Sequence, residues 1–170
     1  MRLGSLRYRA LRFFLWLGVF GSGIALGAKL FDLIVLASAW GASPPGSLTL
    51  MPYGPRYPFN PGDFFLPLSA VALVIDVAVL ILGWGAPWSY RIWTVLPIVL
   101  FIIIGVATPT LFWPMISELY NAGLGRMPEN GANVVDIVQR WMILDWTRAA
   151  LIAVGVFAFT KPLSMPAPEV

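Results

Sequence analysis

Four long apolar stretches limit what this chain can fold into more than any other feature. Each is close to or longer than the roughly 20 residues that a helix needs to cross the hydrocarbon of a bilayer. Lipid offers the backbone no hydrogen-bond partners, so such segments are helical. Only 11% of the residues are charged, against about 25% in soluble domains. The sequence therefore predicts an all-α membrane protein, a four-transmembrane-helix bundle in one domain over residues 1–170, with spans at about 13–39, 64–84, 92–113 and 141–160.

The basic residues predict how the chain is oriented in the bilayer. The loops at 40–63 and 114–140 carry only Arg56, Arg126 and Arg140. The remaining basic residues near the ends of the spans are Arg2, Arg7, Arg9, Arg12, Arg91 and Lys161. By the positive-inside rule both termini are cytoplasmic and the two long loops face outward. We therefore expect a multi-pass protein of the cell membrane, in contact with lipid and without a nucleic-acid partner.

The two outer loops differ in their predicted structure. The loop at 40–63 is rich in proline and turn signals, which predicts a folded cap over the outer end of the bundle, with short extended pieces. The loop at 114–140 contains a short predicted helix at 114–122, and residues 133–140 are expected to begin the fourth helix. The proline-rich tail, 162–170, is expected to be disordered.

Small residues and prolines predict how the helices pack. Gly23 and Gly27 form a GxxxG pattern in the first span, which is typical of a close helix–helix face. Pro97 and Pro109 lie in the third span, and each is expected to bend it.

Two missing residue types restrict the chemistry of the chain. It contains no cysteine and no histidine, which excludes disulfides, thiolate metal sites and imidazole-held haem, copper or non-haem iron. We therefore expect no metal and no cofactor. Any catalysis must use carboxylates, Arg, Lys, Tyr, Asn or Trp.

Five ionisable residues fall inside the predicted spans: Lys29, Asp32, Asp76, Asp145 and Arg148. A charge at such a depth costs roughly 2.5–3.5 kcal/mol by insertion scales, so these side chains should face the bundle interior and each other. Lys29 and Asp32 are three positions apart, as are Asp145 and Arg148, so each pair shares a helix face. Depth estimated from the helical rise predicts an Asp76–Arg148 ion pair, with Lys29 and Asp32 nearby.

Two interpretations of these charges remain open. They either pair only to fix the helix register, or they line a polar pocket that opens outward beneath the cap. In the second interpretation Asp76, if unpaired, is a candidate general base. A further polar pair, Glu118 and Asn121, shares a face just outside the third span. It belongs either to the pocket mouth or to a solvated interfacial helix.

The fourth span carries Trp141, then Asp145-Trp146 and Arg148, followed by an apolar run, and the first helix is glycine-rich from Gly18 to Gly27. In these features the chain resembles the anthrone oxygenase-like family of small four-helix membrane proteins. The resemblance implies cofactor-free oxygenation of an activated aromatic substrate. Asp76 would then be the base, and Arg148 and Lys29 would stabilise the enolate. Trp141 and Trp146 would pack the substrate ring. Independently of the resemblance, Asp32 and Asp145 are candidate substrate-binding residues because they belong to the charged group inside the spans.

Three functions are compatible with these residues. A membrane enzyme acting on a lipophilic small molecule predicts an enclosed cavity lined by Asp76 and Arg148. A non-catalytic accessory subunit of a larger membrane complex predicts tightly paired charges and a surface shaped for other subunits. A transport or ion pathway would require an oligomer.

Overall fold

The computed structural model describes residues 5–54, 57–126 and 133–167. These residues form helices and loops, and no strand occurs among them. The α-helices are α1 (Ser5–Phe31), α2 (Ser38–Trp40), α3 (Pro61–Gly83), α4 (Trp88–Ala107), α5 (Trp113–Gly123) and α6 (Val134–Leu163). Two π-helical segments, Asp32–Ala37 and Thr108–Phe112, join α1 to α2 and α4 to α5. The predicted all-α, four-helix fold is confirmed, with four continuous helices that are long and apolar enough to cross a membrane.

The third of these long helices extends beyond its predicted span. It runs over Trp88–Gly123, so the short helix predicted at 114–122 forms as α5 but continues α4. Pro109 lacks the N–H that would reach the carbonyl of residue 105. The π segment accommodates this loss, and the Thr108 and Thr110 hydroxyls donate to the Ile104 and Val106 carbonyl oxygens at 2.8 and 2.7 Å. Pro109 therefore changes the helix type locally without ending the helix.

The chain divides into two compact units. One contains the chain ends and the short α3–α4 connection, and we call it the terminal unit (Met1–Leu26, Phe65–Ile103 and Leu151–Val170). The other contains the two long loops, and we call it the loop unit (Gly27–Phe64 and Ile104–Ala150).

The terminal unit has its own apolar core. Its buried members are Leu11, Leu15, Ile75, Val79, Ala86, Tyr90 and Phe159. Arg7 donates from Nε and Nη2 to the carbonyl oxygens of Leu82 and Ile81, both at 3.0 Å. These carbonyls lie in the last turn of α3 and lack helical N–H partners. The two hydrogen bonds from Arg7 therefore link the start of α1 to the end of α3.

The glycines of α1 do not pack as their pattern predicted. A Cβ at Gly18 would collide with the ring of Phe159, which marks a close helix contact within the terminal unit. By contrast, a Cβ at Gly23 or Gly27 would meet nothing within 4 Å. The prediction of a GxxxG contact face is therefore wrong for the described residues. The close approach occurs one turn or more nearer the N-terminus.

The first long loop is folded and packs onto α5 within the loop unit, and its predicted place over the outer end of the bundle stays a prediction. A 3₁₀ helix, Gly46–Leu50, forms in place of the expected extended pieces. Leu48 and Met51 are buried, and a Cβ at Gly123 would lie 3.1 Å from the Leu48 carbonyl oxygen. Gly54 has a positive φ of 87°, and a Cβ there would collide with Tyr120. The loop is therefore held to α5 at two glycine contacts.

The fourth long helix begins at Val134, close to the predicted 133, and ends at Leu163. The start of the tail expected to be disordered is therefore helical. Ser164 and Met165 continue it with turn hydrogen bonds to Lys161 and Pro162, at 3.1 and 3.3 Å. Residues 168–170 of that tail lie outside the described residues.

A candidate polar site in the loop unit

Four of the predicted charged residues meet in the loop unit. Lys29 Nζ lies 2.7 Å from Asp32 Oδ2 and 3.2 Å from Asp145 Oδ2. Arg148 Nη2 donates to Asp145 Oδ1. The order of contacts is therefore Asp32, Lys29, Asp145, Arg148, and we call these residues the polar cluster. Asp145 is central, because each of its carboxylate oxygens binds a different cation.

The polar cluster is buried and electrically balanced. Lys29, Asp32 and Asp145 are buried, and the Arg148 side chain is 15% exposed. Two positive and two negative charges give a formal sum of zero. This balance matters because an unpaired ion in a low-dielectric interior costs several kcal/mol.

Aromatic rings pack beside the two cations of the cluster. The Trp141 ring packs edge-on against Trp40 and Phe112, with centroids 5.0 and 6.3 Å away. Lys29 Nζ lies 6.0 Å from the centroid of Trp141, and Arg148 Cζ lies 4.0 Å from that of Phe112. Both cations therefore combine an ion pair with a cation–π contact. Trp40 is buried.

Both π segments contribute a residue to this site. The first begins at Asp32, and the second ends at Phe112. A π segment inserts an extra residue into a turn and so rotates the side chains that follow, and such segments are frequent at functional sites. The Pro109 in the second segment signalled an irregularity there, whereas the first contains no proline or glycine.

Tyr53 is a site residue that the sequence reasoning missed. It lies in the folded loop, partly buried, and packs against the apolar core that includes Trp141 and Phe112. Burial, together with the Asp32 carboxylate, raises the pKa of the Tyr53 phenol above its ordinary value of 10.0. The hydroxyl therefore keeps its proton at physiological pH and remains a hydrogen-bond donor. The only signal in the sequence was its place between two turn motifs, Met51-Pro52 and Gly54-Pro55.

Two buried donors at the site have no acceptor. Trp141 Nε1 and Arg148 Nε lack hydrogen-bond partners in the part of the chain that the structure describes. A buried donor without an acceptor costs about 1–3 kcal/mol, so such groups call for an explanation. At this site they are two positions at which a bound molecule could accept a hydrogen bond.

The remaining predicted site residues are placed differently. Trp146 is 48% exposed, on a part of α6 that faces away from the buried core. Glu118 and Asn121 are half-buried on α5, and Asn121 Oδ1 accepts a hydrogen bond from Arg126 at 3.4 Å. Glu118 forms no ion pair with the polar cluster among the described residues.

Asp76 belongs to the terminal unit. It is buried on α3 beside the core residues Ile75 and Val79. The predicted Asp76–Arg148 pair would join the two units and stays a prediction. Within the loop unit, the ion-pair partner of Arg148 is Asp145.

No group of three acidic side chains that could hold a metal ion occurs among residues 5–54, 57–126 and 133–167. No protein-family model, no curated protein and no solved structure matches this chain. The resemblance to the anthrone oxygenase-like family therefore stays a prediction. The structure itself shows four helices long and apolar enough to cross a membrane, together with a buried polar cluster.

Proposed function

We propose that this chain is a small membrane enzyme that binds a lipophilic aromatic substrate at the polar cluster and oxygenates it without a cofactor. The observation that carries the proposal is the pair of buried donors without acceptors, Trp141 Nε1 and Arg148 Nε. Four charges and two irregular helix segments converge on the same place. If the charges served only to fix the helix register, Trp141 Nε1 and Arg148 Nε would have no reason to lack acceptors.

The proposed reaction uses molecular oxygen as the co-substrate. A base removes a proton from an activated C–H₂ group of the substrate, and the electron pair delocalises onto a ring-conjugated oxygen. The resulting enolate gives electrons to O₂, a C–O bond forms, and loss of water leaves a new carbonyl. With anthrone the balance is C₁₄H₁₀O + O₂ → C₁₄H₈O₂ + H₂O. Fixed donors and cations stabilise the charge that develops on the enolate oxygen.

The base has two candidates, Asp76 and Asp32. The resemblance assigns it to Asp76. Among the described residues of the loop unit, Asp32 forms an ion pair with Lys29 alone, whereas Asp145 forms ion pairs with both Lys29 and Arg148. Loss of a general base lowers the rate by roughly 10²–10⁴-fold. Asp76→Asn and Asp32→Asn variants therefore distinguish the two, because only the residue acting as base gives a loss of that size.

Oxygen uptake by the purified protein in lipid nanodiscs, with anthrone as the substrate, tests the enzyme proposal. We expect wild-type uptake above the protein-free rate, with one anthraquinone formed per O₂. Trp141→Phe keeps most of the packing and removes one donor, so it should lower kcat. Trp113→Phe, at an exposed position, should behave as wild type. Uptake at the protein-free rate would contradict the proposal.

A second function is favoured by a different observation. Every member of the polar cluster has an ion-pair partner inside it, as expected of a non-catalytic accessory subunit whose charges only fix its helices. This function predicts that an unlike chain co-purifies in stoichiometric amount and that the purified complex shows no anthrone-dependent oxygen uptake. A chain purified alone that turns over anthrone would exclude it.

A further inference from the structure

We propose that Tyr53 is a ligand-binding residue of the polar cluster, carried to it by the folded loop. Its hydroxyl and Trp141 Nε1 donate hydrogen bonds to an uncharged oxygen acceptor, such as a ketone carbonyl, on a lipophilic molecule, and Arg148 Nε is a further open donor at the site. The inference rests on the proposed function in placing the substrate at this cluster. It adds the residue and the acceptor chemistry that the substrate must present.

The backbone holds Tyr53 firmly on both sides. Its N–H donates to the Met51 carbonyl oxygen at 2.8 Å, and the Tyr57 N–H donates to the Gly54 carbonyl oxygen at 3.1 Å. Met51 is buried in the core of the loop unit, and Gly54 lies against Tyr120. A side chain mounted between two such anchors is preorganised, which lowers the entropy cost of binding.

The Tyr53 hydroxyl is open to a ligand. Tyr53 packs against the apolar core of the loop unit, whose members include Trp141 and Phe112, and its hydroxyl takes part in no hydrogen bond among the described residues. It is therefore a third donor, beside Trp141 Nε1 and Arg148 Nε, in one neighbourhood of the loop unit. An indole N–H group such as Trp141 Nε1 usually finds a partner when it is buried, and here it has none among the described residues.

Charge balance selects the kind of acceptor. The polar cluster already sums to zero, with two cations and two carboxylates. An anionic ligand would leave one uncompensated negative charge in a poorly solvated interior, which is costly. A cationic ligand would face three hydrogen-bond donors, and two of them, Trp141 Nε1 and Arg148 Nε, cannot accept a hydrogen bond from it. An uncharged carbonyl oxygen accepts hydrogen bonds from these donors and adds no net charge.

Binding of benzophenone to the full-length protein in nanodiscs tests the inference. Benzophenone is a lipophilic ketone without an acidic C–H group, so it reports binding separately from oxygenation. We expect saturable binding and a carbonyl infrared band at lower frequency than in protein-free nanodiscs, as hydrogen bonding requires. Tyr53→Phe should weaken binding roughly 10-fold, which equals about 1.4 kcal/mol and lies within the range for one hydrogen bond, and should move the band back toward the lipid value.

The matched control is Tyr57→Phe, an exposed tyrosine of the same loop, which should change neither affinity nor frequency. Trp141→Phe supplies a second variant and should also move the band back. Circular dichroism and thermal unfolding establish that each variant is folded. A purely structural role for Tyr53 would leave the carbonyl frequency of bound benzophenone unchanged.

Three results would overturn the inference. The first is that the wild type shows no saturable binding, as expected of a site that holds only water. The second is that Tyr53→Phe changes neither the affinity for benzophenone nor its carbonyl frequency. The third is that anionic 4-benzoylbenzoate binds more tightly than benzophenone. The proposed function fails separately. If the protein binds benzophenone through Tyr53 but does not consume oxygen with anthrone, the binding role of Tyr53 stands and the proposed oxygenase activity is wrong. If the protein oxygenates anthrone and Tyr53→Phe changes neither binding nor frequency, the oxygenase activity stands and the binding role of Tyr53 is wrong.

Discussion

At the scale of single residues, Asp145 holds the polar cluster together. It is fully buried and accepts contacts from Lys29 on one oxygen and from Arg148 on the other. Removing its charge leaves two cations with one anion, Asp32. Breaking a buried ion pair from one side costs about 3–5 kcal/mol, because the remaining charge stays buried without compensation.

We therefore predict that Asp145→Asn lowers the free energy of unfolding by about 3–5 kcal/mol, measured by thermal or denaturant unfolding in detergent. Asp136→Asn is the control, since Asp136 is an exposed acid in the first turn of the same helix. The double variant Asp145→Asn/Arg148→Gln restores neutrality, so its loss should be clearly smaller than the sum of the two single losses. Equal stability of Asp145→Asn and wild type would show that the cluster contributes nothing to folding.

At the scale of the helices, the length of the apolar runs predicted the number of helices and their approximate bounds, because lipid leaves the backbone no alternative. The i, i+3 spacing likewise placed Lys29 with Asp32 and Asp145 with Arg148, which are ion pairs in the structure. The spacing of residues along one helix does not predict which face of that helix packs against which neighbouring helix. The Lys29–Asp145 contact and the approach of Tyr53 depend on tertiary packing, and the π segment at Asp32–Ala37 has no local sequence signal.

The glycines of α1 give a prediction at this scale. Gly18→Ala places a methyl group against the Phe159 ring, and overpacking of this kind typically costs 1–3 kcal/mol. Gly23→Ala meets open space in the same helix, so it should cost nothing and gain up to about 1 kcal/mol from helix propensity. Unfolding midpoints of the two variants in the same detergent check the ranking. A larger loss for Gly23→Ala would mean that Gly23 packs against a partner outside this chain.

At the scale of the whole molecule, apolar side chains are exposed along every long helix, whereas the polar cluster is buried. Large exposed residues include Phe20, Ile81, Ile103 and Phe157, one from each of the four membrane-length helices. In water such surfaces would drive aggregation, but in a bilayer they are the solvent-facing side. The burial of charge and the exposure of hydrocarbon therefore have the same cause, which is that lipid surrounds these helices.

The orientation of the chain in the membrane can be measured directly by cysteine labelling, because the wild type contains no cysteine. Single cysteines at the exposed positions Ala42, Ser89 and Ala167 (Ala42→Cys, Ser89→Cys and Ala167→Cys) report on the first long loop, the start of α4 and the C-terminal tail. With Arg7, Arg9, Arg12, Arg91 and Lys161 on the cytoplasmic side, a membrane-impermeant maleimide should label only Ala42→Cys in intact cells. The other two variants should react after permeabilisation. Labelling of Ser89→Cys but not Ala42→Cys in intact cells would invert the topology and place the loop that carries Tyr53 in the cytoplasm.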